Sequence, residues 1–275
     1  MSGPFNVALI QTTTGRDPER NIAVISPLIA QAAAQGADLI MLPETVGLME
    51  PDAGLLHEKA CPESETPALA AFAQEAAKAG VWLLIGSLVV TSEVAGKLAN
   101  RSLLIDSTGT VQARYDKIHL FDVELGEGER YRESANYRPG DQLVDVQTPW
   151  GRLGMSVCYD LRFPQLYRSL AQRGAMFLSV PAAFTRPTGQ AHWHTLLRAR
   201  AIENGCFVFA PAQCGEHEGG RKTYGHSLII DPWGEILADG GKHAGIVMAE
   251  IDPCRVEAVR SQVPSLHHDR PYSVS

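Results

Sequence analysis

Residues 151–164 read GRLGMSVCYDLRFP. Leu153, Met155 and Val157 alternate with smaller or polar residues, the period of two that marks a strand. The alternation stops at Cys158. A polar turn follows, and Pro164 opens the helical pattern of RFPQLYRSLAQRG at a position where proline is favoured. The stretch is therefore strand, sharp turn and helix, with a cysteine at the corner. Such a corner lifts the sulfur off the sheet and points the next backbone N–H groups back toward it. Serine hydrolases use that geometry to present a nucleophile beside an oxyanion hole. A lone cysteine at a strand end is more commonly a small buried apolar residue. The corner acquires a catalytic meaning only from partners elsewhere in the chain.

Working outward, residues 37–44 (ADLIMLPE) form a short apolar strand tipped by Glu44. Residues 7–10, 81–90, 101–105 and 111–115 read as further strands, the last two joined by a turn at Ser107-Thr108-Gly109. A helix is expected over 21–35, closed by Gly36. Pro27 either kinks it or marks its true first turn. Thr66 caps a second helix with Pro67 at its first position; Leu69, Phe72, Ala73 and Ala76 form its stripe and Gly80 ends it. Residues 116–139 make a long polar segment rich in Gly, Glu and Arg, and loops of that length are usually functional or disordered.

Beyond the corner, a strand begins at Met176, a helix over 190–204 carries Trp193, Leu196, Leu197 and Ala201 on one face, and 206–213 is a strand. HSLIIDPWG is another strand, turning at 231–234. The last strand begins at Ala244. A short helix from about Pro253 leads into a polar tail from about residue 262. No linker-like block divides the sequence, so one α/β domain over 1–275 is expected, with helices covering sheets. The similar rhythm of both halves suggests two sheets.

Composition narrows the function. The chain has 275 residues, 45% hydrophobic and 20% charged, with a net charge of -7 and no Lys/Arg-rich run. Nucleic acid and anionic membrane surfaces are poor partners for such a chain. No apolar stretch reaches the ~18 residues that span a bilayer, and the N-terminal residues do not read as a signal peptide. Five cysteines at irregular spacing, with no C-x-x-C, suit reduced thiols in the cytoplasm better than a disulfide framework.

A thiol with a pKa near ~8.5 needs a base or a cationic neighbour at neutral pH. Glu44, at the tip of a buried strand, and Lys117, in YDKIHLFD at the opening of the long segment, are candidates. Either could instead be an ordinary solvated side chain. His192 and His194 flank Trp193 on different helix faces. With no H-E-x-x-H and no Cys/His cluster, no metal site is expected.

Glu44 in LPET, Lys117 in YDKIHLFD and Cys158 in GMSVCYDLRFPQLYR, in that order, resemble the carbon–nitrogen hydrolase (nitrilase) superfamily over nearly the whole chain. The resemblance implies a four-layer α-β-β-α sandwich with two facing sheets and outer helices. It also implies a homodimer or higher homo-oligomer, formed through an outer layer that would include RFPQLYRSLAQRG and AHWHTLLRARAIENG. It implies no cofactor. Cys158 would be the nucleophile and Glu44 the proton acceptor. Lys117 and the backbone N–H of Tyr159 would stabilise the oxyanion, with Lys117 also a candidate proton donor. Glu133, in YRES, would support the set, with Glu127 and Glu129 as nearby decoys. The other four cysteines read as structural.

Within the family, AHWHTLLRARAIENG, PAQCG and YGHSLIIDPWG resemble Nit-type amidases of the branch that cuts deaminated glutathione to 2-oxoglutarate and cysteinylglycine, PAQCG with Cys214 favouring it. Alternatives are an ω-amidase acting on 2-oxoglutaramate and an N-carbamoyl amino acid amidohydrolase. A catalytically silent interaction protein and a redox-sensing thiol protein are the non-enzyme alternatives. The substrate is expected to be a small amide. Arg162 and Arg186, each after a strand, are candidate cations for a 2-oxo acid carboxylate, although both could be surface or dimer-contact residues.

Overall fold

The computed structural model describes residues 3–125 and 130–273. The first half runs β1 (Phe5–Gln11), α1 (Pro18–Ala34), β2 (Leu39–Met41), α2 (Ala53–Lys59), α3 (Pro67–Ala79), β3 (Trp82–Thr91), β4 (Leu98–Ile105), β5 (Val111–Asp116), β6 (Asp122–Glu124) and β7 (Arg130–Arg132). There follow β8 (Asp145–Thr148), β9 (Gly151–Met155), α4 (Pro164–Gln172), β10 (Phe177–Ser179), α5 (Arg186–Asn204) and β11 (Phe207–Ala210). The chain closes with β12 (Cys214–Glu216), β13 (Lys222–Tyr224), β14 (Leu228–Ile230), β15 (Ile236–Asp239), β16 (Gly245–Ile251) and α6 (Cys254–Gln262).

Two six-stranded sheets result, ordered β16-β1-β2-β3-β4-β5 and β15-β14-β11-β10-β9-β8. In each, three consecutive strands are parallel (β1-β2-β3 and β9-β10-β11) and the flanks are antiparallel. The period of two decides which core each side chain enters. Val7, Leu9, Leu39, Met41, Leu84 and Leu104 join Leu153, Met155 and Phe177 in one cluster. Their neighbours Ala8, Ile10, Ile40, Leu83, Ile85 and Leu103 pack instead with Ile25 and Ile29 of α1 and Phe72 of α3. Leu166 and Leu170 of α4 and Trp193 and Leu197 of α5 pack on the second sheet. This is the helix-sheet-sheet-helix sandwich.

Several local readings shift. Helix α1 begins at Pro18 because the Asp17 carboxylate accepts from the backbone N–H groups of Glu19 and Arg20. Pro27 lies inside it on an exposed turn, while Asn21, Ile25, Ile29 and Ala32 keep the helix face buried. Thr66 does precede Pro67, but its hydroxyl donates to Pro62 O at 3.0 Å and caps nothing. Helix α5 starts at Arg186 with Pro187 in its first turn, earlier than its apolar face suggests. The long polar segment carries the β6–β7 hairpin, and Glu127 and Glu129 lie outside the described residues. The tail docks on α4, where the Arg168 guanidinium donates to Ser265 O at 2.6 Å and pairs with Asp269.

Candidate active site

Glu44 follows β2 and points from the strand end into the molecule, 4% exposed. The approach of this segment to β3 depends on Gly86, where a Cβ would lie 2.0 Å from Leu42 O and 2.4 Å from Pro43 O. No side chain fits there. Thr45, at φ 54°, bends the chain away, and Gln213 Nε2 fixes the bend by donating to Glu44 O at 2.9 Å.

Lys117 leaves β5 and is 2% exposed. Its ammonium donates to Glu44 Oε1 at 2.9 Å and to Glu133 Oε2 at 2.8 Å. Asn100 Nδ2, from β4, donates to both carboxylates, at 3.0 Å to Glu44 and 3.1 Å to Glu133. Phe121 N–H donates to Glu133 Oε2 at 2.6 Å. Burial pushes the Glu44 carboxyl up, yet the Lys117 charge and hydrogen bond outweigh it and hold it below the ordinary value. Burial likewise lowers Lys117, but Glu133 and Glu44 hold the ammonium well above its usual range. Both groups stay charged at neutral pH.

Cys158 stands in left-handed backbone at φ 51°, a strained conformation for a residue with a Cβ. Strand β9 has ended at Met155, and the Cys158 N–H donates to Pro181 O at 2.9 Å. The buried Asp160 carboxylate holds this corner, accepting from Val157 N–H at 2.8 Å, Tyr115 Oη at 2.7 Å and His119 N–H at 2.9 Å. Burial, then the Glu44 charge, push the thiol well above its ordinary value, with Lys117 opposing. The resting state is a neutral thiol beside a carboxylate and an ammonium. Tyr159 lies in the first turn of the short 3-10 helix Cys158–Arg162, where backbone N–H groups have no partner within the helix.

Glu44, Asn100, Lys117, Glu133, Cys158 and Tyr159 line one cavity of about 260 Å³. Neither Arg162 nor Arg186 lines it, which corrects the expectation that a cation after these strands would face the pocket. Arg162 lies over the rings of Tyr159 and Phe184, and Arg186 opens α5 with its side chain exposed. Arg221, between β12 and β13, does line the cavity. Cys214 does not; it is buried against Thr13. Asn100, Asp160 and Arg221 escape sequence reading, although an asparagine inside the apolar LANRSLLI is itself a sign of a buried polar partner.

Outside the cavity, ligand atoms of His194, His226 and Asp239 lie within 4.8 Å of one another. Three convergent groups therefore do exist, drawn from elements that sequence spacing cannot relate. They already satisfy each other: Asp239 Oδ1 is 2.9 Å from His226 Nδ1, and Oδ2 is 3.2 Å from His194 Nε2.

A base, a cation and a thiol around one cavity can carry out acyl transfer. The model of the family described as "Carbon-nitrogen hydrolase" matches residues 6–261. The chain is 43% identical to the deaminated glutathione amidase of Yersinia enterocolitica, over 96% of this chain and 93% of that one. It is 44% identical to the deaminated glutathione amidase of a Synechocystis strain, over 96% and 98%. The crystal structure of Saccharomyces cerevisiae Nit3, a member of branch 10 of the nitrilase superfamily, superposes with a TM-score of 0.86 at 28% identity, over 96% of each chain. The chain belongs to the carbon–nitrogen hydrolase family and is a hydrolase of carbon–nitrogen bonds other than peptide bonds.

Proposed function

We propose that the chain hydrolyses deaminated glutathione to 2-oxoglutarate and cysteinylglycine through a thioester on Cys158. The observation that carries the chemistry is the Glu44–Lys117 contact of 2.9 Å beside Cys158 in one cavity. The relatives named for this reaction support the substrate.

Glu44 takes the thiol proton as Sγ attacks the γ-amide carbon. The carbonyl oxygen becomes an oxyanion that meets the Lys117 ammonium and the Tyr159 N–H. The C–N bond breaks as the Glu44 acid gives its proton to the leaving nitrogen, and cysteinylglycine departs. Glu44 then takes a proton from water while the oxygen adds to the thioester. The C–S bond breaks, the sulfur recovers the proton, and 2-oxoglutarate is released. Glu133 and Asn100 hold Lys117 and Glu44 in register throughout.

A panel of deaminated glutathione, 2-oxoglutaramate, an N-carbamoyl amino acid and a simple nitrile tests the substrate. Deaminated glutathione should have the highest kcat/KM. A higher value for 2-oxoglutaramate would make the chain an ω-amidase. No turnover of any of them, with peroxide-sensitive oxidation at Cys158, would support the redox reading.

We also infer a cytoplasmic homodimer. Five unpaired cysteines suit a reducing compartment. Ile202, on the α5 helix of the expected outer layer, is 52% exposed, as an apolar side chain at an interface between copies would be. Sedimentation velocity tests the assembly; a monomer at micromolar concentration would refute it.

A further inference from the structure

The steps above give no role to Arg221, which lines the cavity. Arg221 donates from Nη2 to Ala183 O at 2.7 Å, and its guanidinium lies over the Tyr131 ring, 5.5 Å from the centroid. Its Nε is buried and meets no acceptor among the described residues. A buried N–H without a partner is uncommon and costly. Ala183 connects this group to the chemistry, because its own N–H donates to Glu44 Oε2 at 2.9 Å. The guanidinium therefore stands one residue of backbone away from the general base, and its charge is felt at Glu44.

The other cations of the lining are committed or peripheral. Lys117 is held between Glu44 and Glu133. Arg130 and Arg132 belong to the rim hairpin, with side chains 55% and 59% exposed and facing Glu124. In a 2-oxo acid γ-amide, four carbon–carbon bonds, about 5 Å when extended, separate the carboxylate from the scissile carbon.

We propose that Arg221 anchors the 2-oxo acid carboxylate of the substrate through the part of its guanidinium that faces the cavity, while the γ-amide carbon meets Cys158. This rests on the reading of the substrate as a 2-oxo acid amide. It makes Arg221 the specificity-determining residue, since charge-assisted pairing with a planar carboxylate is what a guanidinium does best.

The test compares 2-oxoglutaramate with 4-oxopentanamide, which carries a methyl group where the carboxylate stands, in the wild type, Arg221→Gln and Arg221→Lys. The ratio of their kcat/KM values should fall tenfold to a hundredfold in Arg221→Gln, mostly through KM for the charged amide. Arg221→Lys should recover part of it. A ratio within threefold of wild type in both variants overturns the proposal, and so does a parallel loss on both amides through kcat. Should the wild type not turn over deaminated glutathione, the substrate reading falls alone. The anchor is then decided by competitive inhibition with 2-oxoglutarate, whose inhibition constant must rise at least tenfold in Arg221→Gln.

Discussion

The Lys117 ammonium lies 2.9 Å from the Glu44 carboxylate, and neither side chain is more than 5% exposed. Such a pair offsets its desolvation only while both members are present. Lys117→Met leaves Glu44 and Glu133 facing each other without a cation. It should cost about 3–5 kcal/mol in urea unfolding and at least about a hundredfold in kcat. Unchanged stability would mean that the pair is not held as described.

The charge state of the resting site gives a second prediction. Burial and the Glu44 carboxylate raise the Cys158 pKa, so the free enzyme holds a thiol at pH 7. The thiolate absorbance, taken as wild type minus Cys158→Ser, should be missing at pH 7. It should emerge only at alkaline pH, above the ordinary thiol value of ~8.5. A full thiolate signal at pH 6 would contradict the assignment of Glu44 as the base that deprotonates sulfur during attack.

Acid stability should depend on Glu50. Hydrogen bonds from Arg16, at 3.0 Å, and Lys59, at 2.8 Å, hold its carboxyl down to about 2. The unfolded value is near ~4.3. Because the folded value is the lower one, the contribution is fully present above the unfolded value and disappears as pH falls toward 2. Glu50→Gln should lower stability by about 1–2 kcal/mol at pH 7, allowing for the partly exposed cations. The difference should shrink steeply between about pH 5 and pH 2 in thermal melts; a constant difference across that range would refute the linkage.

Gly86 sets the approach of the Glu44 segment to β3. A Cβ there would sit 2.0 Å from Leu42 O, with backbone on every near side. Gly86→Ala should destabilise by about 3 kcal/mol or more, since overpacked backbone has no rotamer to relax. Activity should fall with it as Glu44 is displaced. A melting temperature within a degree or two of wild type would show that the strands separate more easily than this packing implies.

How much of this is legible before the structure follows from where each residue sits. Glu44, Lys117 and Cys158 each stand just beyond a readable strand, apolar before Glu44 and Cys158 and half polar before Lys117, and the strand-turn-helix around Cys158 is readable from Met155 and Pro164. The alternation of Val7 and Leu9 with Ala8 and Ile10 already encodes a sheet buried on both faces. Strand β16 is a different matter: it pairs with β1, Phe5 opposite Ile251, across nearly the whole chain, and no local pattern specifies that partner. Arg221 belongs to a hairpin of three-residue strands with no apolar period, and only tertiary packing brings it to Ala183. Arg162 misleads for the converse reason: it follows the nucleophile in sequence but turns onto two aromatic rings.

In the proposed reaction the acyl group is carried on Cys158 sulfur. Rapid acid quenching during turnover, followed by peptide mass analysis, reads it directly. The 2-oxoglutaryl mass should appear on the peptide containing Cys158, with no adduct and no turnover in Cys158→Ser. Steady hydrolysis by Cys158→Ser at a rate near wild type would contradict it.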